Sequence, residues 1–415
     1  MNWERRLYLA AHPVAYPLLR GLARRGPVVR VPGVGVVVND AAVARGVLMD
    51  GETFRKDGPG SPGELWTPVL GPSVLLNMEG EAHRALRRRL TDLFTPAYAD
   101  ELCGRVLAAP LDRLRDRLAS GAPVDLVDAA RVLAGAVISE VIGLDLAAEG
   151  EFRRLFERGE RIVAMVSLRT RRLSPAQIRR ARAVLDPLGD AAAKSYAAGD
   201  ETTVMGRMRT LGLSADEARG AAGAFFLTGT ETVATFVPRV VALLADSGRL
   251  AGAPADGFLD RAIDEAMRVT TPTPVMLRSV HRAAEIGGAP VRPGDRILIA
   301  THNCCRALGP FDPDRPHPPE LRRLWFGAGP HFCIGYPLAM AQIRRVVRTV
   351  LDATPLRIVE RSAARGVLIP TYRHLSVRSE ARRRGDGAGA GVVTLVRRGR
   401  SAESGADTTF EERTP

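Results

Sequence analysis

The segment FGAGPHFCIG, Phe326–Gly335, decides the fold of this 415-residue chain. It holds three glycines, a proline and a cysteine, and an apolar stretch with arginines at helical spacing follows it. A cysteine just before a helix lies near free backbone N–H groups and the positive end of the helix dipole, which both favour the thiolate. The alternative is a small buried cysteine in a turn. The spacing favours Cys333 as a ligand, because Gly327, Gly329 and Gly335 let a flat group approach the backbone.

The composition is typical of a globular protein, with 25% charged and 46% hydrophobic residues. No run approaches the roughly 18–20 uninterrupted apolar residues of a membrane span, and the first 26 residues lack a signal-peptide pattern. The formal net charge of +13 comes almost entirely from scattered arginines, without zinc-finger or basic-zipper spacing. We therefore expect a cytoplasmic protein with no membrane span, and nucleic-acid binding is the minor interpretation.

The cysteine spacing excludes two common kinds of site. Cys103, Cys304, Cys305 and Cys333 fit neither a disulfide framework nor a C-x-x-C metal site, which favours a reducing compartment. Residues 381–415 are glycine-rich and basic, and we expect a disordered tail there, after a single domain over residues 1–380.

Hydrophobic periodicity predicts a mostly α chain with small β-sheets, in the α+β class. A hairpin is expected at 26–40, and short strands at 280–301 and 367–378. The proline-rich segment 309–320 is expected to be irregular. Helices are predicted at 81–94, 99–119, 124–142, 258–269 and 337–351, and a long one to about residue 245 starts at the capping box Ser214–Glu217.

The string F-G-x-G-x-H-x-C-x-G, which starts at Phe326, resembles the haem-binding loop of bacterial cytochrome P450 enzymes. The resemblance implies the cytochrome P450 fold and haem b as the cofactor. It implies that Cys333 is the axial ligand of the iron and that Phe326, His331 and Gly335 also contact the haem.

Two further segments resemble the family's structural triad. Glu265 and Arg268 match its E-x-x-R pair, and Pro313-Asp314-Arg315 matches the segment that supplies a third member, Arg315. The alternative for a lone E-x-x-R is a surface ion pair worth a few tenths of a kcal/mol.

The segment TGTETV, Thr228–Val233, resembles the family's oxygen-activation motif. The resemblance implies that Glu231 and Thr232 are catalytic and deliver protons. The alternative is a threonine-rich helix whose hydroxyls bond back to the preceding turn. The motif departs from the family at Thr228, where Ala or Gly is usual.

Four basic side chains match the family's partners of the haem propionates. His83 and Arg87 lie in a segment that resembles the family's C helix, and Arg278 and His331 match the other two. Fixed cations suit a dianionic ligand edge, and the arginine fork suits carboxylates.

The resemblance implies a haem-thiolate monooxygenase that hydroxylates or epoxidises a lipophilic small molecule with O2, in secondary metabolism. A peroxide-driven haem enzyme and a catalytically silent haem or ligand-binding module are the alternatives. Electrons would come from NAD(P)H through a ferredoxin-type partner. Its docking face would hold Arg88, Arg89, Arg344, Arg345 and Arg348, which fit an ordinary solvated face equally well. The substrate pocket is expected along Gly58–Leu76, Met165–Leu173, Phe225, Phe226, Thr273–Met276 and Leu368–Pro370.

Overall fold

The computed structural model of the chain describes residues 3–166, 170–250, 257–353 and 355–380. The predicted tail, 381–415, lies outside these residues. Fourteen helices are formed within the described part. Their bounds are α1 Trp3–Ala11, α2 Ala15–Ala23, α3 Ala41–Met49, α4 Pro62–Leu70, α5 Gly80–Thr91, α6 Pro96–Ala119, α7 Leu126–Val141, α8 Glu149–Val163, α9 Pro175–Ala198, α10 Val204–Thr210, α11 Ala215–Asp246, α12 Phe258–Thr270, α13 Thr301–Arg306 and α14 Tyr336–Asp352.

Ten short strands form three sheets in the same residues. The order is β1-β2-β8-β5-β3 in the largest sheet, β4-β10-β9 in the second and β6-β7 in the third. The predicted mostly α architecture with small β-sheets is therefore confirmed. The strands are β1 Val28–Val31, β2 Gly35–Val38, β3 Phe54–Arg55, β4 Val124–Asp125, β5 Met276–Val280, β6 Ala284–Ile286, β7 Ala289–Val291, β8 Arg296–Ile299, β9 Leu356–Ala363 and β10 Tyr372–Ser379.

Helix α11 runs through the core. The predicted capping box starts it, since Ser214 Oγ accepts from Glu217 N at 3.2 Å and Glu217 Oε2 accepts from Ser214 N at 2.8 Å. Helices α7, α8, α9, α12 and α14 pack against it. By length and hydropathy α11 is the one described helix that could cross a membrane, but 67% of its most apolar stretch is buried inside the protein. That burial is typical of a core helix.

Several predicted bounds differ from those of the structure. The helix expected at 124–142 begins only at Leu126, because Val124 and Asp125 pair with β10 and the Asp125 carboxylate accepts from Val127 N at 3.0 Å as the helix cap. The helix expected at 81–94 ends at Thr91, and a short 3-10 turn follows. Of the segment 367–378, only β10 is a strand, and its partner β9 was not predicted.

Candidate haem and substrate site

The Phe326–Gly335 loop is folded tightly against the start of α14. Cys333 N donates to Phe326 O at 3.0 Å, which closes the loop. Gly329 has φ +64°, and a Cβ at this position would lie 2.5 Å from Leu48 O. A side chain is therefore excluded at Gly329 by both backbone conformation and space.

The Cys333 thiol faces a cavity of about 560 Å³ and keeps part of its surface open to it. Burial raises the pKa of Cys333, although hydrogen bonding to the backbone N–H of Gly335 and the charge of Lys56 both lower it. The sequence suggested that the helix start would favour the thiolate. In the structure the effect of burial is larger than the effect of the helix start, so the helix start alone does not produce the thiolate. A metal cation in place of the proton would make the thiolate, since coordinated thiols are deprotonated.

All nine residues that the sequence singled out for haem contact and catalysis line this one cavity. Their roles stay predictions, but the fold brings them together from four separate parts of the chain. They are His83, Arg87, Glu231, Thr232, Arg278, Phe326, His331, Cys333 and Gly335.

The cavity has a cluster of basic side chains at one edge, which we call the cation cluster: Lys56, His83, Arg87, Arg278 and His331. Burial, with help from neighbouring cations, lowers the pKa of His83 to about 4 and that of Lys56 to about 7. Burial also lowers the pKa of Arg278 to about 10. The pKa of His331 is lowered in the same way. These shifts arise mainly because the fold removes the basic groups from water.

One carboxylate, Glu79, faces the cation cluster. Its Oε2 lies 2.9 Å from His331 Nε2, although not in hydrogen-bonding geometry, and its Oε1 accepts from the backbone N–H of Lys56. Among the described residues, Lys56, Arg87 and Arg278 form no salt bridge, and the buried Nε2 atom of His83 has no hydrogen-bond partner. Buried donors without acceptors are costly. The two propionates of haem b would supply the missing negative charges, so the residues present fit this cofactor.

Lys56 was not predicted as part of the site. It is one of only two lysines in the chain, and it follows β3 in a short loop. A lysine in a loop is usually solvated. Only the packing of this loop beside Arg278 reveals that Lys56 belongs to the cation cluster.

Helix α11 contributes Glu231 and Thr232 to the cavity wall. Burial and the nearby charge of Glu160 raise the pKa of Glu231 to about 8. Thr232 Oγ1 donates to Thr228 O at 3.1 Å, and Thr228 Oγ1 donates to Ala224 O at 2.7 Å. The back-bonding considered as the alternative is thus present, but it uses only the hydroxyl protons and leaves the oxygen atoms as acceptors.

The substrate side of the cavity is mostly apolar. The predicted segments contribute Leu65, Trp66, Phe225, Val275 and Leu368, among others. Val166 and Thr170 line it from the segment 165–173, of which 167–169 lie outside the described residues.

Several residues of the predicted segments do not line the cavity, among them Phe226 and Pro370. Phe226 is fully buried and packs on Gly159, because adjacent helical residues point about 100° apart. Pro370 also stays outside the lining, while its carbonyl oxygen accepts from Arg239. Both residues are therefore packing residues of the core around the pocket.

Behind the cavity, Glu265 forms a buried network. Arg268 donates to both of its carboxylate oxygens at 2.7 Å, and Asp312 N donates at 2.9 Å. Arg268 also donates to Cys305 O at 2.5 Å and Gly309 O at 3.0 Å. The pair is a buried network and not a surface ion pair, since Arg268 and Glu265 are 0% and 1% exposed.

The prediction that Arg315 is the third member of this network is wrong. Its guanidinium donates to Leu308 O at 2.6 Å and Pro310 O at 2.9 Å and does not reach Glu265. His317 takes that place, with Nε2 at 2.8 Å from Glu265 Oε2. In this proline-rich segment the backbone turns Arg315 back onto its own loop and directs His317 inward.

Comparison with known proteins agrees with this geometry. The family profile of cytochrome P450 matches residues 257–363, which include the Glu265 network and the cysteine loop.

Two relatives extend the similarity over most of the chain. The cytochrome P-450 monooxygenase DoxA of Streptomyces sp. (strain C5) is 29% identical over 392 residues, covering 80% of this chain and 85% of the relative. The erythromycin C-12 hydroxylase of Saccharopolyspora erythraea is 28% identical over 324 residues, covering 74% and 78%.

Solved structures show the same fold. A mutant of P450 EryK in complex with erythromycin B superposes with a TM-score of 0.76 at 23% identity, covering 91% of this chain and 98% of that one. P450BioI in complex with a fatty-acid-ligated acyl carrier protein gives 0.75 at 18% identity, covering 89% and 99%. Together with the cysteine loop and the cation cluster, these similarities lead to one conclusion: the chain belongs to the cytochrome P450 family of haem-thiolate monooxygenases.

Proposed function

We propose that this enzyme hydroxylates or epoxidises a bulky lipophilic small molecule of secondary metabolism. The observation that carries the proposal is the single cavity that joins the Cys333 thiol, the cation cluster and the polar face of α11 to a large apolar wall. Such a cavity holds a cofactor and a lipophilic substrate side by side. Terpenoids, polyketides and steroid-like molecules fit this description.

In this proposal Cys333 ligates the iron of haem b, and the cation cluster binds the propionates. Once bound, haem b supplies the activation of O2 and the transfer of one oxygen atom. Arg87 and Arg278 offer bidentate donors to carboxylates, while His83 and His331 offer single N–H donors.

Glu231 and Thr232 handle protons. Because its pKa is raised to about 8, Glu231 is protonated at neutral pH and can donate. The Thr232 oxygen can accept a hydrogen bond in the cavity while its own proton is held by Thr228 O. In this proposal Glu231 donates the proton, and the Thr232 oxygen is a hydrogen-bond acceptor in the same cavity.

The electron donor is proposed to be a ferredoxin-type protein that receives its electrons from NAD(P)H, in the cytoplasm. The basic face offers this proposal limited support. Arg344 pairs with Asp260 at 2.6 Å, and Arg345 pairs with Asp100 at 2.7 Å. Arg88 and Arg89 likewise pair with Glu81 and Glu217. Exposed Arg348 forms no salt bridge among the described residues, so the net positive potential of the face is smaller than its arginines suggest.

The decisive test is the absorption spectrum of the dithionite-reduced protein under carbon monoxide. We expect the strongly red-shifted Soret band of a thiolate-ligated haem, and we expect Cys333→Ala to lose it. Cys103→Ala is the matched control, because Cys103 is fully buried and does not line the cavity. A wild-type protein without haem, or a red-shifted band that survives in Cys333→Ala, contradicts the proposal.

Turnover separates the monooxygenase from the two alternatives. A ferredoxin system should support product formation, and Thr232→Ala should consume electrons without forming product. Equal turnover with peroxide alone, unaffected by Thr232→Ala, would favour the peroxide-driven enzyme. Haem binding without turnover under either condition would favour the silent module.

A further inference from the structure

One end of the pocket wall is a turn that has little structure of its own. Residues 364–371 connect β9 and β10, and Leu368 and Ile369 of this turn line the cavity. One backbone hydrogen bond closes it, from Ala364 N to Thr371 O at 3.0 Å. A turn of this length with a single internal bond needs outside contacts to keep one conformation.

The N-terminal part of the chain and α11 provide those contacts. Gly366 N donates to Ala10 O at 3.3 Å, and His12 Nε2 lies 3.3 Å from Leu368 O. Arg239 Nη1 donates to Pro370 O at 3.0 Å. Three of the eight residues of the turn are thus fixed from outside, on both sides of Ile369.

Arg239 is itself oriented by α1. Its guanidinium forms a two-point ion pair with Glu4, and the two side chains are 1% and 2% exposed. The guanidinium also lies 5.2 Å from the Tyr8 ring centre. A buried arginine needs a partner carboxylate to offset its desolvation. Glu4 therefore acts on the turn through Arg239.

Helix α1 also contacts a second part of the same wall. The Tyr8 hydroxyl donates to Thr270 O at 2.5 Å, at the end of α12. Thr271 follows with φ +39°, and Pro272 and Thr273 line the cavity. A left-handed threonine is strained and stays in place only where neighbouring contacts hold it.

We propose that Glu4, Tyr8, Ala10 and His12, which we call the N-terminal clamp, set the substrate preference by holding this end of the pocket. Glu4, His12 and Arg239 are then positioning residues that do not touch substrate themselves. The proposal rests on the proposed function, since it assigns the wall of that substrate site. The clamp should affect the binding of large ligands, which reach the 364–371 turn, and not the binding of small ligands, which stay near Cys333.

The test compares two ligands of different length in the haem-loaded, full-length protein. The probes are 4-phenylimidazole, which is short, and miconazole, which is long, and binding is followed by the shift in haem absorption. In His12→Phe, which keeps the ring beside Tyr16 but loses the bond to Leu368 O, we expect miconazole to bind about three- to tenfold more weakly. We expect the affinity for 4-phenylimidazole to stay within about twofold.

Glu4→Gln should show the same selective loss, and the exposed neighbour Arg5→Gln is the control that should show none. Hydrogen exchange of the peptide that covers 364–371 should become about tenfold faster in both clamp variants. If Glu4→Gln does not fold, His12→Phe still decides, because His12 is only half-buried.

The comparison uses variants that keep the wild-type carbon monoxide spectrum. If such a variant binds both ligands equally more weakly, or binds both as the wild type does, the inference is overturned. Failure of the proposed function is a different outcome, because it would appear as a missing red-shifted band in the wild-type protein itself.

Discussion

The Glu265 network and the cation cluster consist of the same kinds of side chain but are balanced differently. In the network, Glu265 meets Arg268, His317 and a backbone N–H, and every bond is 2.9 Å or shorter. In the cation cluster, the carboxylate of Glu79 interacts with Lys56, Arg278 and His331, and the described residues provide no salt bridge for Arg87. The protein therefore closes a charge network that serves its own fold, and it leaves unbalanced the charges that suit a ligand.

The pKa shifts express the same difference. Burial alone would raise the pKa of Glu265, but the hydrogen bonds from Arg268 and His317 outweigh burial and lower it. In the cation cluster, burial prevails, and the pKa values of Lys56, His83 and Arg278 all fall. A satisfied charge favours its ionised form in the fold, whereas an unsatisfied one is destabilised until its partner arrives.

The largest loss of stability should come from removing the charge of Glu265. Glu265→Gln leaves the fully buried Arg268 without its counter-charge, and we expect a loss of about 3–5 kcal/mol in the free energy of unfolding. Thermal unfolding followed by circular dichroism measures the loss.

The neighbouring carboxylate provides a matched control for Glu265→Gln. Asp264 lies on the same helix, forms no salt bridge among the described residues, and has its pKa raised by burial. Asp264→Asn should therefore change stability by less than about 1 kcal/mol. If both variants lose the same free energy of unfolding, the Glu265 network does not contribute more to stability than a neighbouring buried carboxylate.

Removing a charge from the cation cluster should have effects of opposite sign on the protein with and without haem. Arg278→Met takes an unneutralised cation out of a buried site, so we expect the haem-free protein to gain about 2 kcal/mol. The same change removes a propionate partner, so haem should dissociate about tenfold faster. The measurements are unfolding of the haem-free protein and haem transfer to apomyoglobin.

Arg296→Met is the control for Arg278→Met. Arg296 lies on the adjacent strand and lines the same cavity, but its Nε donates to Gly60 O at 3.1 Å, which is a role within the fold. We expect this variant to lose stability without faster haem loss. A stability loss in haem-free Arg278→Met would show that the cluster is balanced by the protein alone.

The sequence predicted what depends on short, regular spacing. The cysteine loop, the Ser214 cap and the E-x-x-R pair each lie within ten residues, so that local geometry determines which groups meet. His83 and Arg87, one turn apart on α5, were likewise expected to face the same way.

What the sequence did not predict depends on contacts between distant segments. Lys56 appears as a solvated loop residue until the fold half-buries it beside Arg278, 222 positions later in the chain. In 309–320 no periodicity indicates which side chain turns inward, so the resemblance assigned Arg315 where the backbone directs His317. The ion pair of Glu4 with Arg239 also joins segments that no local pattern relates.

The smallest effect should decide which residue completes the Glu265 network. His317→Leu removes one hydrogen bond to a buried carboxylate, and we expect a loss of about 1 kcal/mol, because the His317 side chain is 16% exposed. His317→Gln, which can still donate, should recover most of it.

The ionised form of Glu265 adds stability above its unfolded pKa, and that stability is lost as the pH falls through the lowered folded pKa. The deficit of His317→Leu should therefore be largest near neutral pH and shrink below about pH 4. Arg315→Gln should show no such pH dependence, and a deficit that fades in acid for Arg315→Gln but not for His317→Leu would return Arg315 to the network.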